Sequence, residues 1–212
     1  MDYYQEIRLL PDAEANLGFL WHKVFQQVHI ALVENKMGDN QSEVGISIPG
    51  YVLPTPNKRQ FPLGDKLRVF ANSEDALKQL DLIKWLSRLE DYAQIKTIKP
   101  VPKCSQYAVF KRKHFQGKKR IEAKTRQMAE FKSKETGESF DKWFEEYTKL
   151  APSMDLTLPY INTKSVSGGS SNSTFPLFIE MKLVAKPQLG LFNCYGFCPK
   201  GVERETTVPW FE

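Results

Sequence analysis

The alternation of apolar and polar positions in the first half of the chain predicts strands and helices in the order βαββαβ. A helix capped by Asn16 runs to about Glu34 with one apolar stripe, and Ser73 caps a second helix. The predicted strands span residues 3–10, 44–48, 66–71 and 92–98. This order predicts a ferredoxin-like domain, in which two helices back a four-stranded antiparallel sheet.

The composition changes after Pro100 and Pro102, and the second half predicts another mixed α and β domain. Its predicted elements are a strand at 107–113, helices at 118–132 and 140–150, and strands at 158–165 and 175–184. The last two strands are joined by a polar Ser- and Gly-rich loop. We therefore predict an α+β protein with a ferredoxin-like domain at 1–97 and a domain carrying a basic helix at 98–212.

Positive charge is concentrated between Lys111 and Lys134. That segment has ten Lys and Arg residues against Glu122 and Glu130, which gives about +8, although the whole chain carries only +5. Such a segment can be a solvated helix face, but its density favours nucleic acid, because each phosphate contact releases a condensed counterion. The candidate contacts are Lys111, Arg112, Lys113, Lys118, Lys119, Arg120, Lys124 and Arg126.

The predicted basic helix has little apolar surface with which to pack. Ile121, Met128 and Phe131 form a thin apolar edge, while its basic residues lie on several sides. This pattern suits a helix that is flanked by phosphates.

Composition and motifs exclude several other classes. The chain is 41% hydrophobic, and no segment approaches the roughly 18 apolar residues of a membrane span. Its start lacks the features of a signal peptide, so we expect a cytoplasmic protein. Cys194 and Cys198 lack further ligands at zinc-site spacing, and there is no phosphate-binding loop, serine elbow or cluster of acidic residues. We therefore expect no metal or other cofactor.

Histidine supplies the candidate catalytic group. His22 and His29 lie seven residues apart on the first predicted helix, at the border of its apolar stripe. A border histidine without a role is the ordinary interpretation. The basic segment strengthens the case for His29, because RNA carries its own nucleophile, the 2′-hydroxyl. A metal-free ribonuclease then needs only proton transfer and correct alignment of that hydroxyl with the phosphate.

Eight short segments, in order along nearly the whole chain, carry a family resemblance. They are residues 1–12, 28–32, 44–49, 63–68, 158–165, 175–179, 195–196 and 208–211. Together they resemble the type I-F CRISPR RNA-processing endoribonucleases. The resemblance implies a metal-independent enzyme that cuts at the 3′ side of the repeat hairpin in precursor crRNA and leaves a 2′,3′-cyclic phosphate and a 5′-hydroxyl. It also implies that the product stays bound, with the other subunits of the crRNA-guided surveillance complex as partners.

The same resemblance assigns roles to single residues. His29 falls on the catalytic histidine, Ser165 on a serine that holds the attacking ribose, and Tyr195 on a tyrosine that supports the histidine. Phe175 matches an aromatic residue that stacks on the base pair closing the stem. The stretch 118–134 matches a basic helix that lies in the RNA major groove.

Several alternatives stay open from the sequence. The loop after Ser165 is longer than is usual in the family, so Ser167 can take the serine role, and His29 can act as base, acid or both. Val109 and Lys111 stand where the family has an Arg-x-Gln pair that reads bases. A non-catalytic RNA-binding subunit and a DNA-binding module are the competing functional classes.

Overall fold

The computed structural model describes residues 1–55, 60–115, 118–150, 158–164 and 174–211, with only the backbone of Lys118 and Lys119. The strands are β1 (Tyr3–Leu9), β2 (Gly45–Ser47), β3 (Lys66–Ala71), β4 (Ala93–Ile95), β5 (Lys99–Pro100), β6 (Gln106–Lys113), β7 (Tyr160–Lys164), β8 (Thr174–Val184) and β9 (Val208–Trp210). The helices are α1 (Leu17–Glu34), α2 (Glu74–Leu80), α3 (Leu82–Leu86), α4 (Lys118–Thr136) and α5 (Phe140–Leu150). None of these helices is long and apolar enough to cross a membrane. The mixture of helices and antiparallel sheets confirms the predicted α+β class.

The first sheet has the strand order β2-β3-β1-β4, and β5 also pairs with β1. All of these pairs are antiparallel, and Ile7 of β1 lies opposite both Leu67 and Ile95. Helix α1 begins where predicted, because the Asn16 side chain accepts a hydrogen bond from the backbone N–H of Phe19. The predicted βαββαβ order is therefore confirmed in the first half of the chain.

The second sheet has the antiparallel order β7-β8-β6-β9. Its last strand, β9, is one the sequence pattern does not predict: it is three residues long and contains Pro209. Proline is tolerated there because β9 is an edge strand, with Val208 opposite Ala108 of β6.

The residues divide into two compact units, Met1–Lys113 with Thr157–Glu212 (unit 1) and His114–Leu156 (unit 2). Unit 1 contains both sheets, and its core includes buried residues of each, such as Ile46 and Val208. The division into domains at 1–97 and 98–212 stays a prediction.

Unit 2 is a hairpin of α4 and α5. The buried residues of α4 are Thr125 and Ala129, whereas Met128 is 43% and Phe131 is 70% exposed. Of the apolar edge predicted from the sequence, Met128 and Phe131 are therefore exposed, and only Ile121 is partly buried. Gly137, with a φ of +74°, ends α4 by donating its backbone N–H to Ser133.

Candidate active site and nucleic-acid interface

His29 lies on α1 and is buried, with only 7% of its surface exposed, so it is less accessible than its border position suggests. Its Nδ1 lies 2.7 Å from the backbone carbonyl oxygen of Cys194. A carbonyl oxygen only accepts hydrogen bonds, so Nδ1 carries the proton and donates it. In the neutral ring, Nε2 is then the proton acceptor. Among the described residues, none forms a hydrogen bond with Nε2.

Three further side chains, those of Tyr195, Arg112 and Phe175, form a chain of ring and cation contacts that starts at His29. The Tyr195 ring lies parallel to the His29 ring, with 4.2 Å between centroids and 8° between planes. The guanidinium carbon of Arg112 lies 5.1 Å from the centroid of Tyr195 and 5.1 Å from that of Phe175. Both separations are within cation–π range. We call these four residues the His29–Phe175 stack.

The surroundings of His29 lower its pKa below the usual histidine value. Burial is the largest cause, because it disfavours the charged ring, and the nearby positive charge of Arg112 acts in the same direction. The hydrogen bond to Cys194 opposes them. The net result favours the neutral, proton-accepting ring near neutral pH.

A tight turn at residues 193–197 holds Tyr195 and the Cys194 carbonyl in place. The Asn193 side chain accepts hydrogen bonds from the backbone N–H groups of Tyr195 and Phe197, at 2.9 and 3.2 Å. Gly196 has a φ of +72°, and an added Cβ would lie 2.5 Å from Ile46. The sequence pattern does not predict these positioning roles of Asn193 and Gly196, although Asn followed closely by Gly is a turn signal.

The turn is also fastened to β6. The backbone N–H of Cys198 donates to the carbonyl of Phe110 at 2.8 Å, two residues before Arg112. Phe110 and Arg112 share one face of β6, because side chains alternate along a strand. This contact explains why Arg112 meets Tyr195.

Ser165 and Ser167 lie outside the described residues, so the ribose-holding role of either stays a prediction. The strands on both sides are described: Lys164 pairs with Thr174, and Thr163 pairs with Phe175. The chain therefore leaves β7 and enters β8 beside a member of the His29–Phe175 stack.

The other histidine of α1, His22, donates a hydrogen bond from Nδ1 to the backbone carbonyl of Asn162 on β7.

The predicted RNA contacts on β6 separate into two groups. Lys111 is ion-paired with Glu205, and Lys113 lies 3.3 Å from Glu180. The hydrogen bond between Lys111 and Glu205 raises the pKa of the lysine and lowers that of the carboxyl. Arg112 is on the opposite face, in the stack. The predicted contacts of Lys111 and Lys113 with phosphate stay predictions. Each of these lysines already has a carboxylate partner.

The basic helix α4 presents a charged face with an aromatic residue in it. Arg120, Lys124 and Arg126 are exposed, and none forms an ion pair with a described carboxylate. At about 100° per residue, Arg120, Lys124 and the exposed Phe131 fall within roughly 40° of one another. Arg126 lies over the ring of Phe144, with 5.8 Å to its centroid. Lys118 and Lys119 lie in the first turn of α4, where the structure describes only their backbone.

Comparison with known proteins decides the family. Residues 4–211 match the family described as CRISPR-associated protein (Cas_Csy4). The chain belongs to the Csy4 family. The resemblance found in the sequence is thus confirmed. Csy4-family relatives include proteins named "CRISPR-associated endonuclease Cas6/Csy4" from Escherichia coli (strain UTI89 / UPEC), 29% identical, and Pseudomonas aeruginosa (strain UCBPP-PA14), 31% identical.

Both of these Csy4-family relatives align over the full length of either chain. A solved structure described as "An RAMP protein binding different RNA substrates" also covers the full length of both chains. Its TM-score is 0.34 and its sequence identity 10%, a similarity too low to carry an argument about function.

Proposed function

We propose that this protein is a metal-independent endoribonuclease that cleaves CRISPR repeat hairpins in precursor crRNA. Membership of the Csy4 family, with relatives named as CRISPR-associated endonucleases, supports endonuclease activity on CRISPR RNA. The observation that carries the finer proposal is the state of His29, whose Nδ1 is occupied by Cys194 while Nε2 is free of described partners. This arrangement supplies a proton acceptor beside a fixed positive charge.

In the proposed reaction, Nε2 of His29 accepts the proton of the 2′-hydroxyl at the cut. The O2′–P bond forms as the P–O5′ bond breaks, which leaves a 2′,3′-cyclic phosphate and a 5′-hydroxyl once the leaving oxygen is protonated. The lowered pKa of His29 supports the role of base, because the neutral ring is then abundant near pH 7. The protonated ring so formed, or water, supplies the proton to the leaving oxygen.

Arg112 is the residue in the stack that can stabilise the charge developing on the phosphate. Its guanidinium stays protonated at any physiological pH and suits phosphate oxygens. Its contacts with the rings of Phe175 and Tyr195, each 5.1 Å from the guanidinium carbon to the ring centroid, restrict its position. A preorganised positive charge at the reacting phosphate favours the transition state over the ground state.

Binding of the hairpin is assigned to the remaining predicted residues. The exposed basic face of α4 would contact the phosphates of the stem, and Phe175 would stack on its closing base pair. Phe175 is only partly buried, which leaves ring surface for such a contact. Ser165, or Ser167, would hold the ribose. We further propose that the enzyme keeps the 3′ hairpin of the crRNA and joins the other protein subunits of a type I-F surveillance complex.

The pH dependence of cleavage tests this proposal. In single-turnover cleavage of a labelled repeat hairpin in EDTA, the rate should fall toward acid pH with a midpoint below about 6.5. A neutral base loses activity on protonation, and the pKa of His29 is lowered. Arg112→Gln should move the midpoint to higher pH, because it removes one of the causes of the lowered pKa, and should slow the reaction.

Lys182→Gln is a matched control, since it removes a positive charge from the neighbouring strand β8, and it should leave the midpoint in place. No cleavage by the parent would contradict the proposed function. A midpoint above 6.5, or one that Arg112→Gln does not move, would contradict the role of His29 as base.

A further inference from the structure

A groove of about 800 Å³ lies on unit 1 between α1 and the segment 84–92, which begins in the last turn of α3. Phe19, Lys23 and Gln27 line it from α1; they are four residues apart and so share one face of the helix. His29 points from another face, about 120° away from Lys23 at 100° per residue. None of the His29–Phe175 stack lines this groove, so it is separate from the candidate active site. We call it the α1–α3 groove.

The lining of the α1–α3 groove combines aromatic rings with positive charge. The rings are those of Phe19, 49% exposed, and the partly buried Trp85 and Tyr92. The charged side chains are Lys23, Lys84 and Arg88, against a single carboxylate, Glu14. Two cations stand beside rings: Lys23 Nζ lies 5.4 Å from the centroid of Phe19, and Lys84 Nζ lies 5.9 Å from that of Trp85.

The three positive charges are also available to a ligand. All three side chains belong to exposed residues, and across the described ranges none of them forms an ion pair. A groove with three cations and one carboxylate complements a negatively charged occupant. Aromatic rings that line a groove together with such cations are typical of sites that bind single-stranded nucleic acid, because bases stack on the rings while phosphates contact the charges. Gln27 and Ser87 add hydrogen-bonding groups.

We propose that the α1–α3 groove binds a single-stranded RNA segment that adjoins the repeat hairpin. The inference rests on the proposed function for the identity of the RNA. An acidic protein segment would also satisfy the charges, but it makes less use of the three rings, two of which have a cation beside them. The groove would thereby hold the transcript outside its hairpin, and it would add affinity that the stem alone does not supply.

The test compares three RNAs: the bare hairpin, the hairpin with a single-stranded 5′ extension, and the hairpin with a 3′ extension. Each carries 2′-deoxyribose at the cut, so binding is measured without cleavage. At least one extension should strengthen binding by the parent about fivefold or more, the equivalent of one stacked base. Lys23→Ala/Lys84→Ala/Arg88→Ala should lose that gain but bind the bare hairpin as the parent does.

A matched control removes three exposed lysines elsewhere on unit 1, Lys99→Ala/Lys186→Ala/Lys200→Ala, and should keep the gain. Phe19→Ser, at a half-exposed position, should reduce the gain in affinity without altering net charge. This second groove variant tests the proposal if the triple variant does not fold.

Two results would overturn the proposal: no gain from either extension in the parent, which points to a protein occupant, or a gain that both groove variants retain. Failure of the parent to bind the bare hairpin contradicts the proposed function instead. In that case the affinity of the protein for a single-stranded oligoribonucleotide alone tests the groove. Equal affinities of the parent and both groove variants would overturn the groove proposal.

Discussion

His29→Ala should bind the repeat hairpin nearly as tightly as the parent and cleave it about 10²- to 10⁴-fold more slowly. Removal of the imidazole deletes the proton acceptor at the 2′-hydroxyl, while the exposed charges of α4 stay in place. The measurement is a single-turnover cleavage rate with saturating enzyme, together with a dissociation constant for a hairpin that has 2′-deoxyribose at the cut. Loss of rate with intact affinity separates chemistry from binding.

His22→Ala is the matched control, since it removes the other histidine of the same helix. That ring is partly exposed and bonded to the backbone of Asn162, outside the His29–Phe175 stack. We expect its cleavage rate to stay close to that of the parent. If His29→Ala cleaved as fast as the parent, the chemistry would belong to another group. The competing interpretation, a hairpin-binding subunit without catalysis, would require the parent itself to be inactive.

Arg120→Ala/Lys124→Ala/Arg126→Ala should weaken hairpin binding strongly and reduce its dependence on salt. Each phosphate contact contributes up to about one unit to the slope of log affinity against log salt, so three lost contacts should flatten the slope by up to about three units. These side chains are exposed and without described ion-pair partners, so their charges are available to RNA. Alanine at these sites preserves the helix.

The control is the variant that lacks Lys99, Lys186 and Lys200, which loses the same net charge from unit 1. Its slope should change far less, because those lysines are not assigned to the stem. An equal change in both variants would mean that overall charge, rather than these three side chains of α4, determines binding. A duplex DNA of the same stem sequence, bound as tightly as the RNA, would favour the DNA-binding class.

The elements that sequence alone predicts best are those with local signals. Helix α1 has a capping asparagine and a continuous apolar stripe, and both of its ends agree with the structure to within a residue. Strand β9 has no such signal: it contains Pro209 and exists because Val208 pairs with Ala108, a hundred positions earlier. Strand pairing over that distance leaves no trace in local periodicity.

In the candidate site, too, contacts between residues far apart in the chain could not be predicted from the sequence. His29 could be selected from the sequence, but its tautomer depends on the Cys194 carbonyl, 165 residues away. The sequence predicts Arg112 only as one of eight basic residues that contact RNA. Because side chains alternate along β6, Arg112 lies on the face opposite Lys111 and Lys113. Only the three-dimensional structure shows that Arg112 contacts Tyr195 and Phe175.

The most direct test of the account is the chemistry of the new 3′ end when the parent cleaves the hairpin in EDTA and water enriched in ¹⁸O. Attack by the 2′-hydroxyl predicts a 2′,3′-cyclic phosphate without solvent oxygen, a 5′-hydroxyl on the other fragment, and no cut when that ribose lacks its 2′-hydroxyl. Mass spectrometry of both fragments reads these ends. A 3′-hydroxyl with a 5′-phosphate that carries ¹⁸O, or cleavage of the deoxy substrate, would contradict the account.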